Sequence, residues 1–442
     1  MSDSLLIIHL ILMTMIEKKT RQQIIDLVNQ EVVPAIGCTE PMAVALCAAR
    51  ATEVLGQRPE RIEAYLSANI LKNAMGVGIP GTGMIGLPIA IALGALIGKS
   101  EYQLEVIKDL TPDSLEQGKQ YINEKRIGVH LKEGIQEKLY AEVVCSAAGK
   151  SATAIISGSH TNIVYAGSTA DAPRNIGLEA KHEEQGGIKL SLRMVYDFAT
   201  TAPLDEISFI LSARDYNIGA ARQAIKGNYG HNLGKTIDRP LSKGIFGNSI
   251  YSHIIARTAS ACDARMGGAM IPVMSNSGSG NQGICATNPV CVYAEENENT
   301  EEELIRALML SHLTAIYIKQ SLGRLSALCG CVVAGIGSSV GITLLMGGGY
   351  EQVCSSVKNM IANIAGMLCD GAKPSCALKI ASGVSTAVMS ALLSMEGKCV
   401  TSAEGIVDDD IDRTIHNLTA IGADAMCQTD DLVLRIMTSK GC

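Results

Sequence analysis

The segments L-S-A-L-C-G-C at 325–331 and G-M-L-C-D-G-A-K-P-S-C at 366–376 frame the part of the chain that decides its fold. Between them the run from Leu325 to Tyr350 carries no charged residue and is built of Gly, Ala, Ser, Val, Ile and Leu. Such a run is a buried helical core element whose small side chains allow close neighbours. Its Gly/Ser-rich centre and the lack of any Trp in the chain argue against a membrane span. Cys329 and Cys331 stand one residue apart at one end, and Cys369 and Cys376 six apart at the other. Thiols gathered by a dry, folded element suit a soft metal centre, iron–sulfur or zinc. The alternative is that they pack as small hydrophobes among Ala and Gly, and no paired C-x-x-C zinc spacing is present.

Working outward, 442 residues exceed the roughly 250–300 that one hydrophobic core serves, so two or three lobes are expected. Hydrophobic residues make up 47% but aromatics only 3%, so the core must come from aliphatic and small side chains packed at short range. A net charge of −7 excludes the clustered basic surface of a nucleic-acid binder. A small-molecule partner and no nucleic acid or membrane partner are expected. Fourteen cysteines spread over the whole length read as reduced thiols in a cytoplasmic protein. Residues 1–14 are apolar but lack a positive start and a small-residue cleavage site, and read as an extension or a misassigned start.

The fold class expected is α+β: a mainly helical bundle with Gly/Ala-rich central helices, a central helix hairpin among them, plus a small mixed α/β lobe. Residues 15–99 read as a helical segment, in which Thr39 is placed to N-cap a helix with Pro41 in its first turn. Cys38 then sits at a helix N-terminus, where the dipole favours thiolate. The Gly-rich loop G-V-G-I-P-G-T-G at 76–83 offers backbone N–H groups to an anion, without the Gly-Lys-Ser/Thr of a phosphate loop. Residues 100–195 form the small α/β lobe, with alternating strands at 126–131, 138–144 and 151–156 and a turn at 147–150. Residues 196–442 form a helical domain carrying the four framing cysteines.

Four further motifs join the framing segments: G-C-T-E-P at 37–41, K-N-A-M-G-V-G-I-P-G-T-G at 72–83, S-G-S-H-T-N at 157–162 and N-S-G-S-G-N-Q-G-I at 276–284. Together they resemble the L-cysteine desulfidase family, itself similar to the alpha chain of iron–sulfur L-serine dehydratases. The resemblance implies a 4Fe-4S cluster acting as Lewis acid in the α,β-elimination of L-cysteine to pyruvate, ammonia and hydrogen sulfide, or of L-serine by the same chemistry. It implies cluster ligands Cys38, Cys329 and Cys369, or in the dehydratase pattern Cys331, Cys369 and Cys376, with the terminal Cys442 as a further candidate. His160 and Lys72 are implied as catalytic candidates, and Ser159, Thr161, Asn69, Asn73, Asn276, Ser277, Gly278 and Asn281 as substrate-binding residues. A homodimer is also expected. Two rival readings stand beside this one. S-G-S-G-N-Q-G-I also resembles the loop that holds pyridoxal phosphate in other dehydratases, with Lys243 as a Schiff-base candidate. The other rival is a metabolite-binding protein without catalysis.

Overall fold

A computed structural model describes residues 16–178, 187–323 and 325–439; the expectations for residues 1–14 and for Cys442 fall outside them. Apolar–polar alternation makes strands β2 (Arg61–Leu66), β3 (Ile127–Leu131), β4 (Tyr140–Ala147), β5 (Lys150–Ser157) and β6 (Ile163–Ser168). They form one sheet in the order β3-β2-β4-β5-β6, in which β2 and β3 are parallel and the other pairs antiparallel. The turn between β4 and β5 has Ala148 at φ 49° and Gly149 at φ 75°, the two left-handed residues of a tight hairpin. Strand β2 comes from upstream of residue 100, so the sheet does not follow the division at residue 99. Its period of two was hidden in a short polar-rich stretch, R-I-E-A-Y-L, which becomes a strand by pairing on both sides.

The inward residues Ile62, Ala64, Ala141, Val143, Cys145, Ala154 and Ile156 are buried against α2 (Thr39–Leu55). That helix packs in turn on α4 (Leu87–Ile97). Cys47 belongs to this core: its thiol donates to the carbonyl of Ala154 at 3.2 Å. Burial pushes the Cys145 thiol up to about 11. Both behave as small hydrophobes, as the bland reading of the cysteines has it.

The remaining helices, α1 (Lys18–Glu31), α3 (Ala68–Ala74), α5 (Pro112–Asn123) and α6–α18, include the helical body. At its centre α14 (Gly330–Leu345) is buried without interruption from Cys331 to Thr343. It is surrounded by α12 (Gly280–Glu296), α13 (Glu301–Leu322), α15 (Tyr350–Ile364) and α16 (Cys376–Met395). The expected central hairpin is therefore a single helix ringed by four. A Cβ on Gly337 would lie 2.4 Å from the Ser311 carbonyl oxygen, so α13 approaches closer than any larger residue permits. Helix α16 is the one described helix long and apolar enough to cross a membrane, and its Ala377, Ile380, Val384, Ala387 and Ala391 are buried in the bundle. Between sheet and bundle, β1 (Pro34–Ile36) pairs antiparallel with β7 (Pro272–Met274). This short ladder brings Cys38 beside the Gly-rich loop that follows Met274.

One buried network braces that loop. Asn276 is fully buried; its amide N–H groups donate to His312 Nδ1 and to the His312 carbonyl, both at 3.1 Å. Its Oδ1 accepts from Ser277 Oγ and Gln282 Nε2, both at 2.9 Å. His312 Nε2 then donates to Thr287 Oγ1 at 3.0 Å, an assignment that leaves every member satisfied. Burial lowers the His312 pKa from 6.5 to about 4. The unfolded chain therefore binds a proton that the fold rejects, and the stability this contributes is present above pH 6.5 and lost as pH falls through 4. About 2 kcal/mol should be gone by pH 5. Urea melts at pH 7 and pH 5 should show this loss in the wild type and a clearly smaller one in His312→Gln; equal losses would place the acid sensitivity elsewhere.

Candidate active site

Cysteines 329 and 369 meet because their segments pair. Leu328 and Leu368 form an antiparallel bridge, with the Cys329 amide on the Met367 carbonyl at 3.0 Å and the Cys369 amide on the Ala327 carbonyl at 2.6 Å. The Cys331 thiol donates to the Met367 sulfur at 2.9 Å, with the Lys379 carbonyl at 3.6 Å as its second partner, and Cys329, Cys331 and Cys369 lie near enough to shift one another's pKa. Cys376 lies close enough to Cys369 for their charges to interact, and its thiol donates to the Gly371 carbonyl at 3.7 Å. Contact with Cys331 and burial push the Cys329 thiol up; contact with Cys329, then burial, do the same for Cys369. Without a cation these thiols keep their protons. Among the described residues no three His, Cys, Asp or Glu side chains converge as one metal ion requires. A multi-iron cluster instead takes its thiolates from several sides, and four cysteines on the two paired segments 325–331 and 366–376 are the donor type such a cluster uses.

Cationic groups surround the thiols. Lys72 on α3 is buried and donates to the Cys369 carbonyl at 3.5 Å. Its ammonium pairs with Asp430 on α18 (Cys427–Ser439), whose other oxygen accepts from Asn69 Nδ2 at 2.9 Å. On the other side Lys379 donates to the Leu368 carbonyl at 2.6 Å and pairs with Asp370. Lys373 and Lys379 overcome the effect of partial burial and hold the Asp370 carboxyl at about 2.

A second group forms around Glu40. Cys38, not Thr39, occupies the N-cap position of α2. The Thr39 hydroxyl instead donates to the Gly278 carbonyl at 2.9 Å, with Glu40 Oε2 at 3.0 Å as its second partner. The Cys38 thiol donates to Glu40 Oε2 at 2.9 Å, and Asn73 Nδ2 to Glu40 Oε1 at 3.2 Å. Burial and then the neighbouring Glu40 charge raise the Cys38 pKa, which corrects the expectation of a dipole-stabilised thiolate: desolvation outweighs the helix end. Burial works against ionisation of Glu40 too, but His160, the Cys38 thiol and Arg265 together hold its carboxyl below the usual range.

His160 is buried in the turn between β5 and β6, closed by the Asn162 amide on the Ser159 carbonyl at 3.2 Å, while Thr161 is exposed. Asn281 faces inward at Arg265, accepting from Nη1 at 3.1 Å. Ser277 and Gly278 form the tight turn of the loop, both at positive φ. Asn276 has both amide donors and its oxygen engaged in the His312 network, which leaves it a loop support. A cavity of about 1720 Å³ opens beside these groups, lined among others by Glu31, Lys138, Gly158, Asn162, Ser277 and Leu325. Another, of about 560 Å³, between α8 (Leu211–Ala224), α12 and α13 includes none of the residues nominated from sequence.

Two expectations are corrected. The amides of the loop at 76–83 do not cradle an anion: Gly78 donates to Met266, Ile79 to Met84, Gly81 to Gly268 and Thr82 to Ile79 at 2.9–3.2 Å. The glycines serve close docking on the end of α11 (Ile250–Met266). Lys243, the Schiff-base candidate, pairs with Asp238 at 3.5 Å and is well exposed, with no described contact to the Ser275–Asn281 loop. Sequence reading passed over Arg265 and Asp430 and considered Glu40 only as a cap. The one available signal was an arginine, with Asp263, inside the otherwise small-residue stretch A-S-A-C-D-A-R-M.

The profile described as serine dehydratase alpha chain matches residues 101–435. A UPF0597 protein of Bacteroides thetaiotaomicron is 65% identical over 97% of this chain and 100% of its own length. One of Porphyromonas gingivalis is 54% identical over 96% of the chain and 100% of its own. One of Oleidesulfovibrio alaskensis is 48% identical over 94% and 97%.

Proposed function

This chain belongs to the serine dehydratase alpha chain family, and from that premise we propose that it is an iron–sulfur lyase that eliminates sulfide from L-cysteine. The observation that carries the reading is the Leu328–Leu368 bridge, which brings the backbones of Cys329 and Cys369 together, with Lys72 against the Cys369 carbonyl. The thiols of Cys329, Cys331 and Cys369 would hold a 4Fe-4S cluster, and Cys376 adjoins them. When bound, the cluster supplies a Lewis acid for the leaving group. The chain's own residues do the rest. Lys72 and Lys379 bring positive charge to the thiolate set and offset its cost in an apolar shell. His160, buried beside Glu40, is the group assigned to accept the Cα proton, and the Glu40 carboxylate stabilises the imidazolium so formed. Loss of that proton and of the Cβ–S bond leaves aminoacrylate, which tautomerises to an imine that water converts to pyruvate and ammonia. Both lobes enclose the site and limit competing access of water.

The same constellation accepts L-serine in a second reading, favoured by the family match over 101–435. Anaerobically reconstituted protein assayed for sulfide from L-cysteine and pyruvate from L-serine decides between them through the ratio of kcat/KM. Absence of both products from iron-loaded protein would overturn the lyase reading.

A further inference from the structure

Arg265 is a guanidinium only 3% exposed, yet among the described residues it enters no ion pair. Its described hydrogen bond is Nη1 to Asn281 Oδ1 at 3.1 Å, and its Nε is buried with no partner. Gly280 is what admits the group, since a Cβ there would lie 2.3 Å from Nε. An arginine carries five donors in a planar fork and stays charged at any working pH. Leaving such a group buried and largely unengaged destabilises the fold, which a structural role alone does not offset. Glu40, whose carboxylate feels the Arg265 charge, is already held by Cys38, Thr39 and Asn73.

Four segments meet here: the end of α11, which carries both Arg265 and Cys262, the Gly-rich loop through Asn281, the start of α2 through Cys38 and Glu40, and the start of α16 through Cys376 beside Cys262. Arg265 thus sits within electrostatic reach of Cys38 and Glu40 and of Cys262, whose own neighbour is Cys376. The Gly78 and Gly81 amides donate to the Met266 and Gly268 carbonyls and fix the helix end that carries it.

We infer that Arg265 is the receptor for the α-carboxylate of the amino-acid substrate, its free donors forming the fork–carboxylate pair that the folded chain lacks. The inference rests on the amino-acid lyase reading for the class of ligand but not for turnover, so its test uses a ligand that cannot react. L-Alanine has the carboxylate and no leaving group; L-alaninamide lacks the carboxylate charge. Calorimetric titration of the anaerobically purified full chain should detect L-alanine and bind L-alaninamide at least about tenfold more weakly. Arg265→Gln should lose at least about tenfold in L-alanine affinity, and Arg265→Lys should lose less, because it keeps the charge but not the fork. Ligand-free Arg265→Met should melt no lower than the wild type, since an unpaired buried charge has been removed. Equal binding of L-alanine and its amide, no binding of L-alanine by the wild type, or a folded Arg265→Gln with unchanged affinity would each overturn the inference. A protein that binds L-alanine through Arg265 yet releases neither sulfide nor pyruvate would defeat the lyase reading alone.

Discussion

Cys329→Ala and Cys369→Ala, purified without oxygen, are each expected to fall from about four irons per chain to below about one, with loss of the broad absorption near 400 nm. The two residues stand on a two-segment bridge whose backbone hydrogen bonds are independent of the sulfur atoms. The bridge should therefore persist in both variants, and circular dichroism should show a wild-type helical content. Cys47→Ala and Cys145→Ala are the controls: these thiols sit in the sheet core and should keep full iron. Cys38→Ala separates two ligand sets. With its thiol committed to Glu40, it should keep iron while changing the pH dependence of turnover through Glu40. Loss of iron there would move Cys38 into the ligand set, in place of Cys331. Full iron in Cys369→Ala would refute the site.

Lys72→Met should destabilise the protein by about 3–5 kcal/mol, the usual cost of stranding one member of a buried ion pair. The Lys72 side chain is 2% exposed and that of Asp430 13%, so water screens the abandoned carboxylate poorly. The pair also pins α18, whose Val433 and Leu434 are its buried residues, onto α3. Asp430→Leu should cost a similar amount, whereas the double variant Lys72→Met/Asp430→Leu should recover much of the loss, since neither charge is left unmatched. Urea denaturation of the four proteins closes this cycle. Additive losses would mean that the pair contributes nothing specific. The double variant also isolates chemistry from folding: if Lys72 charge supports the thiolate set, it should fold and still bind less iron than the wild type.

The chain's local patterns determined a good deal by themselves. The charge-free run from Leu325 to Tyr350 dictated a buried helix, because no residue in it can pay for contact with water. Alternation at 138–144 and 151–156 with a turn at 147–150 pointed to paired strands, and the cysteines framing α14 marked the candidate centre. What tertiary structure alone decided is the set of partnerships made at long range. Strand β2 carries too little pattern to stand out until β3 and β4 flank it. The Gly-rich loop at 76–83 was read as an anion cradle because sequence cannot show that Met266 and Gly268 occupy its amides. Cys38 sits at a helix end as its neighbours imply, yet its thiol is protonated because burial and Glu40 outweigh a dipole. Arg265, Glu40 and Asp430 have their partners far away in the sequence, and a charge acquires its meaning from what surrounds it in space. Local sequence fixes which way a side chain leaves its helix; only the packing of four distant segments determines whether it meets water, a partner, or a cavity that a ligand must fill.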